Sequence, residues 1–201
     1  MSNPLLIIFA RNPQLGQVKS RLARTVGPDK ALHIYRLLLD KTCQVALDSN
    51  SDKMVYYSDR IEQEDIWDSQ IFRKAVQSNG DLGIRMLNAF HRAFEDGYDK
   101  AVIIGTDCFE LSPQIINTAF EQLNKSDIVI GPALDGGYYL LGMKTLHSEV
   151  FINKNWSTPS VLRDTLRDIR KLGLKPRLLP LLNDVDAEED LNGLEPLIGV
   201  I

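Results

Sequence analysis

Short apolar runs and longer amphipathic stretches alternate along this sequence, and few folds accommodate that rhythm. Leu5 to Ala10 is an apolar run opening into Arg11-Asn-Pro-Gln-Leu-Gly16, which is turn chemistry. From Lys30 to Leu47, apolar residues fall at Leu32, Tyr35, Leu38, Leu39, Cys43 and Ala46, a helical spacing. Met54 to Tyr57 reads as a short strand and Phe72 to Val76 as another, with an ambiguous stretch around Trp67. Leu82 to Phe94 returns to the helical pattern through Met86, Ala89, Phe90 and Ala93. Ala101-Val-Ile-Ile-Gly105 is the clearest buried strand. Ser112-Pro113 then supplies an N-cap followed by proline at the first helical position, predicting a helix to about Leu123. Ile128 to Ile130 and Tyr138 to Met143 read as strands, and Ser157 to Leu172 as a helix closed by Gly173. Arg177 to Leu181 reads as extended, and a short acidic helix follows Asp186.

Strands and helices in this order imply right-handed parallel crossovers and a three-layer α/β domain. The sequence shows no internal repeat and no Pro-, Gly- or Ser-rich linker, so one domain over residues 1–201 is expected. In open sheets of this kind, ligands bind outside the carboxyl ends of the strands. The segments that follow each strand are therefore where chemistry belongs.

Composition removes several classes. With 23 Lys plus Arg against 27 Asp plus Glu, the formal charge of −4 does not provide the basic face that nucleic acid requires. No apolar run approaches the length that spans a membrane. The start lacks a basic n-region and a long apolar h-region, so it does not read as a signal peptide. Two cysteines, Cys43 and Cys108, are too few for a disulfide framework. The expectation is a soluble cytoplasmic protein.

Four segments carry possible chemistry. The first runs from Arg11 through Gly16 to Lys19-Ser-Arg21, after the first strand and before a helix. It offers glycine for close backbone approach and two cations for phosphates, or simply a turn with solvated basic residues. It is neither a Walker A loop nor a Gly-x-Gly-x-x-Gly fingerprint. The second, Gly105-Thr-Asp107-Cys108, ends the clearest strand. There a carboxylate faces the ligand crevice and suits Mg²⁺ or Mn²⁺ by oxygen ligation. A capping role for Asp107 is weakened because Ser112 already supplies the better cap.

The third is Asp184-Val-Asp186-Ala-Glu-Glu189. Asp184 and Asp186 share a face if the stretch is extended, and Asp186 with Glu189 also has the form of a capping box. The fourth, Asp135-Gly136-Gly137-Tyr138, fits a tight hairpin turn or close approach to a bound group. Gln77-Ser-Asn-Gly80-Asp81-Leu-Gly83 reads as a strand-to-helix loop. His33, His91 and His147 have no neighbours at metal spacing, so zinc is not expected. No Gly-x-Ser-x-Gly elbow is present, and Cys108 reads as a small buried residue. Trp156 either packs under a helix start or lines the pocket.

Together these phrases resemble an uncharacterised bacterial family, catalogued as a domain of unknown function and often labelled glycosyltransferase or phospholactate-guanylyltransferase-like. They are Phe9-Ala-Arg11-Asn-Pro through Gly16-Gln-Val-Lys19-Ser-Arg21, Asp81-Leu-Gly83-Ile-Arg85, Gly105-Thr-Asp107-Cys108, Gly131 through Tyr139, Trp156-Ser-Thr158 and Asp184-Val-Asp186. The resemblance implies the nucleotide-diphospho-sugar transferase (GT-A) fold, a three-layer Rossmann-like arrangement with a mixed, mostly parallel sheet. It further implies that Arg21 lies on triphosphate and that Asp107 and Asp186 form the metal site. By the same resemblance, Gln77, Gly80 and Gly83 lie where the base is read, and Asp135 to Tyr138 where the sugar or acceptor is held. The first loop departs from the nucleotidyltransferase signature in having only Gly16 before Lys19, not paired glycines.

The resulting expectation is a Mg²⁺- or Mn²⁺-dependent nucleotidyltransferase acting on an NTP and a small phosphorylated acceptor. Lys19 and Arg21 would neutralise developing charge. The alternatives are a glycosyltransferase using a nucleotide-sugar donor, and a nucleotide-binding module without turnover.

Overall fold

In the computed structural model, which describes residues 3–192 and Leu194, both faces of one sheet are covered by helices. The chain runs β1 (Pro4–Ala10), α1 (Ser20–Val26), α2 (Pro28–Leu47), β2 (Asp52–Tyr57), β3 (Phe72–Val76) and α3 (Leu82–Glu95). It continues through β4 (Lys100–Ile104), α4 (Pro113–Gln122), β5 (Ile128–Pro132), β6 (Tyr138–Met143), α5 (Val161–Lys171) and β7 (Pro176–Leu178). The ends of the expected 1–201 domain lie outside the described residues.

The strand order is β3-β2-β1-β4-β6-β5-β7. All neighbours are parallel except β6, which is antiparallel to both β4 and β5. Because β5 and β6 form a hairpin, the Asp135-Gly136-Gly137 turn emerges at the carboxyl edge shared by β1 and β4. The mixed, mostly parallel α/β architecture expected from the sequence is the one observed.

Strand alternation explains the layers. Leu6, Ile8 and Ala10 point to one face, where α2 and α4 contribute Tyr35, Leu39, Ile116 and Phe120. Leu5 and Ile7 point to the other, where α3 and α5 contribute Met86, Phe90 and Ile169. A strand buried on both faces reads as an uninterrupted apolar run, which is why β1 and β4 stand out in the sequence. The predicted cap of α4 is present, with Ser112 Oγ accepting from the Ile115 amide at 3.4 Å. Trp67, in the ambiguous stretch, is buried edge-on against Phe72. Among the described residues, no helix is long and apolar enough to cross a membrane.

Two local expectations are corrected. The helix expected from Ser157 begins four residues later, at Val161. Ser157 has φ 61°, outside the helical region, and Pro159 disfavours helical backbone at Thr158. The segment after Asp186 is a 3₁₀ turn, Glu188–Leu191, and Asp186 does not cap it. Asp190 does that work, accepting from the Asp186 and Ala187 amides at 2.9 and 2.8 Å.

Candidate active site

At the carboxyl edge of the sheet, four segments converge: the β1–α1 loop, the β4–α4 loop, the hairpin turn and the chain from Leu179 to Asp186. The last is drawn in because it continues β7 alongside β5. The Leu179 amide donates to Ile130 O at 2.9 Å, and the Leu134 amide to Leu182 O at 3.0 Å. One more backbone bond, Val185 N to Asp107 O at 2.8 Å, fixes this chain against the β4 loop. Asp184 and Asp186 are thereby delivered beside Asp107.

Lys19 stands at the centre. Its ammonium lies 2.5 Å from Asp107 Oδ1 and 3.2 Å from Asp186 Oδ1, and donates to Val185 O at 2.6 Å. The Lys19 side chain is 4% exposed, whereas those of Asp107 and Asp186 keep 44% and 46% of their surface. The two carboxylates therefore open to the crevice with the lysine behind them. Lys19 itself has φ 50° and ψ 46°, left-handed backbone that costs a non-glycine residue about 1–3 kcal/mol.

Asp184 lies deeper. Burial, then the charges of Asp107 and Asp135, push its carboxyl up to about 7, although Lys19 pulls the other way. Negative charge thus exceeds what one ammonium balances. Among the described residues, no three His, Cys, Asp or Glu side chains already stand at metal-holding geometry. The donor chemistry nevertheless fits a hard divalent cation: the carboxylate oxygens of Asp107 and Asp186 face an open crevice, with Asp184 beside them.

The remaining expected residues fall into two groups. Arg11 and Gly16 are exposed on the loop before Lys19 and Arg21 is exposed in the first turn of α1, and Gly16 takes φ 74°, which suits glycine. Arg21 makes no hydrogen bond or ion pair among the described residues. Gln77 closes the neighbouring strand ends, its amide donating to the Tyr56 carbonyl at 3.1 Å, while Gly80 takes φ 115° on the next turn. In the hairpin turn, Asp135 Oδ1 accepts from the Gly137 amide at 2.8 Å. Gly136 O accepts from Leu162 N at 2.9 Å, anchoring the start of α5.

Gly83 and Tyr138 meet at Trp156, which resolves its role. A Cβ on Gly83 would stand 2.4 Å from Trp156 Nε1, and the Tyr138 and Trp156 rings pack edge-on at 6.5 Å. Both residues pack on Trp156 beside the hydrophobic core of the α3 face, and the Tyr138 hydroxyl is buried.

Two positioning residues escape sequence reasoning. The buried Tyr35 hydroxyl receives the Arg11 amide at 2.9 Å and lies 3.2 Å from Thr106 Oγ1, bridging the β1 and β4 loops. Tyr35 sits on the apolar stripe of α2 and so reads only as core. Asn12, also buried, donates to Arg60 O and Glu62 Oε1 at 2.9 Å each, fastening the first loop to the segment after β2. A buried asparagine ahead of proline carries no periodic signal.

Comparison with known proteins gives the family and the fold. The profile of a family described as uncharacterized protein conserved in bacteria (DUF2064) matches residues 39–158. No curated protein matches the sequence. A crystal structure from Desulfovibrio desulfuricans G20, provisionally described as a nucleotide-diphospho-sugar transferase, is 34% identical with a TM-score of 0.89. That match covers 96% of this chain and 87% of the other. The fold is shared at 12% identity and TM-score 0.62 with 4-diphosphocytidyl-2C-methyl-D-erythritol synthase from Anaerococcus prevotii, covering 98% and 96% of the two chains. It is shared at 14% and 0.57 with a CMP:2-keto-3-deoxy-manno-octonic acid synthetase complexed with CTP, covering 98% of each.

Proposed function

The chain belongs to the family of uncharacterized proteins conserved in bacteria (DUF2064), and from that membership and the site geometry we propose that it is a Mg²⁺- or Mn²⁺-dependent nucleotidyltransferase. A phosphate oxygen of a small phosphorylated acceptor attacks the α-phosphorus of an NTP. A new P–O bond forms, the bond to the bridging oxygen breaks, and its electron pair leaves on pyrophosphate. Such substrates belong to the cytoplasm.

The observation that carries this reading is the position of Lys19, flanked by Asp107 and Asp186 at the carboxyl ends of the strands. A divalent cation on Asp107 and Asp186 would supply Lewis-acid stabilisation of the charge that develops on the phosphates. The exposed guanidiniums of Arg11 and Arg21 grip phosphate oxygens by two-point hydrogen bonds, and Lys19 adds a point charge from below. Gln77 and Gly80 border the base, and Asp135, Gly136 and Gly137 border the acceptor. Gly83 and Tyr138 act indirectly, by setting Trp156. In-line transfer needs no protein nucleophile. Consistently, burial pushes the Cys108 thiol beside the site up to about 12, far from the thiolate a nucleophile requires.

A second reading rests on the description of the Desulfovibrio relative: transfer of a sugar from a nucleotide-sugar donor, with a nucleoside diphosphate leaving. The paired cations of the first loop favour a triphosphate. Product analysis by ³¹P NMR decides between them, using each NTP with Mg²⁺ and a panel of phosphorylated acceptors. Pyrophosphate with a new product joined to the nucleotide through a diphosphate (P–O–P) linkage is expected. Nucleoside diphosphate from nucleotide sugars, or binding without any product, contradicts the proposal.

A further inference from the structure

At the β3 edge of the sheet, α3 leaves part of β2 and β3 uncovered, and a groove of about 370 Å³ lies there. Its volume is that of a small-molecule pocket. Three interstrand spacings, about 14 Å, separate β3 from β4, so the groove is distinct from the carboxylate cluster.

The groove combines an apolar floor with cationic walls. Met54, Tyr56 and Ala75 form the floor, Arg85 and Arg92 stand on one side of α3, and Arg73 rises from β3. Each guanidinium is held in place by the protein while keeping other N–H groups free. Arg85 Nε donates to Gly80 O at 2.8 Å. Arg92 Nε and Arg73 Nη2 share the Asp96 carboxylate at 2.9 and 3.1 Å, and Arg73 Nη1 donates to Tyr98 at 3.1 Å. Asp52 accepts from the Tyr98 hydroxyl at 2.9 Å. Arg92 and Arg73 thus share one carboxylate, Asp96, with Asp52 reached only through Tyr98, and Arg85 is held by a neutral carbonyl, so positive charge is in surplus.

A second observation points into the same space. Tyr56 is only 7% exposed, yet its hydroxyl makes no hydrogen bond among the described residues. The charges nearest to it are those of Arg92, Asp96 and Arg73. The oxygen is not among the sealed, unpartnered polar atoms of the described residues, so it remains open to bond with what occupies the groove. Here the phenol, the free guanidinium N–H groups and the apolar floor converge on one volume.

We infer that this groove is a second binding site, for a small organic anion whose phosphate or carboxylate is taken by Arg85, Arg92 and the Tyr56 hydroxyl. The apolar body of that molecule lies on Met54 and Ala75. Arginine forks bind either anionic group in two-point fashion, so the class is defined by an anion joined to an apolar body.

The Met54 methyl group gives a direct readout. Full-length protein carrying ¹³C-methyl methionine is titrated with phenyl phosphate, benzoate and inorganic phosphate in turn. Phenyl phosphate or benzoate shifts the Met54 resonance saturably and leaves that of Met143, on β6 three strands away from β2, in place. The stronger of the two identifies the anionic group. Inorganic phosphate, lacking the apolar body, binds about tenfold more weakly, as losing roughly 1.4 kcal/mol of contact requires. Arg92→Gln and, leaving the Asp96 pairs intact, Arg85→Gln each weaken binding about tenfold, as loss of a charge-assisted pair demands. Asp107→Asn leaves the titration unchanged. A Met54 resonance that none of the three probes moves overturns the inference. So does a shift indifferent to both arginine substitutions, or one abolished by Asp107→Asn.

Discussion

Lys19 Nζ lies 2.5 Å from Asp107 Oδ1, joining the start of α1 to the end of β4 through a lysine that is almost wholly buried. The pair bridges the two loops that the sheet brings together from either side of the β1–β4 contact. It places a cation beneath carboxylates that still face solvent. The proposed chemistry and most of its tests follow from this contact.

Removing the ammonium exposes what it balances. Lys19→Met leaves Asp107, Asp184 and Asp186 without their nearest cation and should cost about 1 kcal/mol, since two of the three carboxylates remain partly solvated. Thermal melts in EDTA should show this loss, and Mn²⁺ should recover more of the melting temperature in Lys19→Met than in the native protein. Equal shifts in the two proteins would separate Lys19 from the metal site.

Asp107→Asn keeps the shape of the side chain but removes its charge. Turnover should fall roughly a hundredfold or more, because metal-assisted charge stabilisation is worth several kcal/mol. Melting should stay near that of the native protein. A turnover assay across Mg²⁺ concentrations checks both the rate and its metal response.

The cap at Asp190 changes what is expected of Asp186. Asp186→Ser and Asp186→Ala should melt alike and both bind Mg²⁺-nucleotide poorly, since neither retains the carboxylate. Asp190→Ala should instead cost ~1 kcal/mol, the usual loss of an N-terminal cap. Urea denaturation of the three variants separates the roles; a larger loss in Asp186→Ala than in Asp190→Ala would reverse them.

Gly83→Ala should be destabilising by about 1–3 kcal/mol through overpacking. Its Cβ would meet backbone Phe151 O as well as Trp156 Nε1, each at 2.4 Å, and the carbonyl cannot swing aside. Tryptophan fluorescence during denaturation reports both the stability and the displacement of Trp156.

On the far face, Lys154 is buried to 1% side-chain exposure and lies 2.5 Å from Asp168 Oδ2. Burial opposes ionisation of Asp168, but its hydrogen bond and charge interaction with Lys154, with Lys171 and Arg167 beyond, prevail and hold its pKa below the usual carboxylate value. A depressed pKa means that the folded state binds this proton less readily than the unfolded one. The contribution is therefore present above pH ~4 and is lost as pH falls through the folded value. Asp168→Asn should cost about 3 kcal/mol at pH 7 by leaving the buried ammonium unpaired, and should flatten the acid limb of the stability profile. Denaturant melts from pH 3 to 7 test both.

What was legible in the sequence tracked local physics. β1 and β4 announced themselves because both of their faces are buried, and α4 because Ser112 and Pro113 carry a cap in consecutive positions. The start of α5 was misplaced because periodicity cannot see the positive φ of Ser157. Asp186 looked like a cap because Asp-x-x-Glu spacing is blind to which carboxylate the turn finally uses. Asp107, Asp186 and Lys19 were identifiable as residues, but their meeting is a tertiary fact. It depends on Val185 N reaching Asp107 O across 78 positions of chain, beyond any local pattern. Tyr35 was hidden by its own apolar surroundings.

Titration calorimetry of the four NTPs against the native protein, with Mg²⁺ and again with EDTA, tests the central claim most directly. At least one NTP should bind with Mg²⁺, be displaced by pyrophosphate, and lose most of its affinity in EDTA and in Asp107→Asn. Binding of equal strength without metal, or unchanged in Asp107→Asn, would contradict the assignment of Lys19, Asp107 and Asp186 as the nucleotide site.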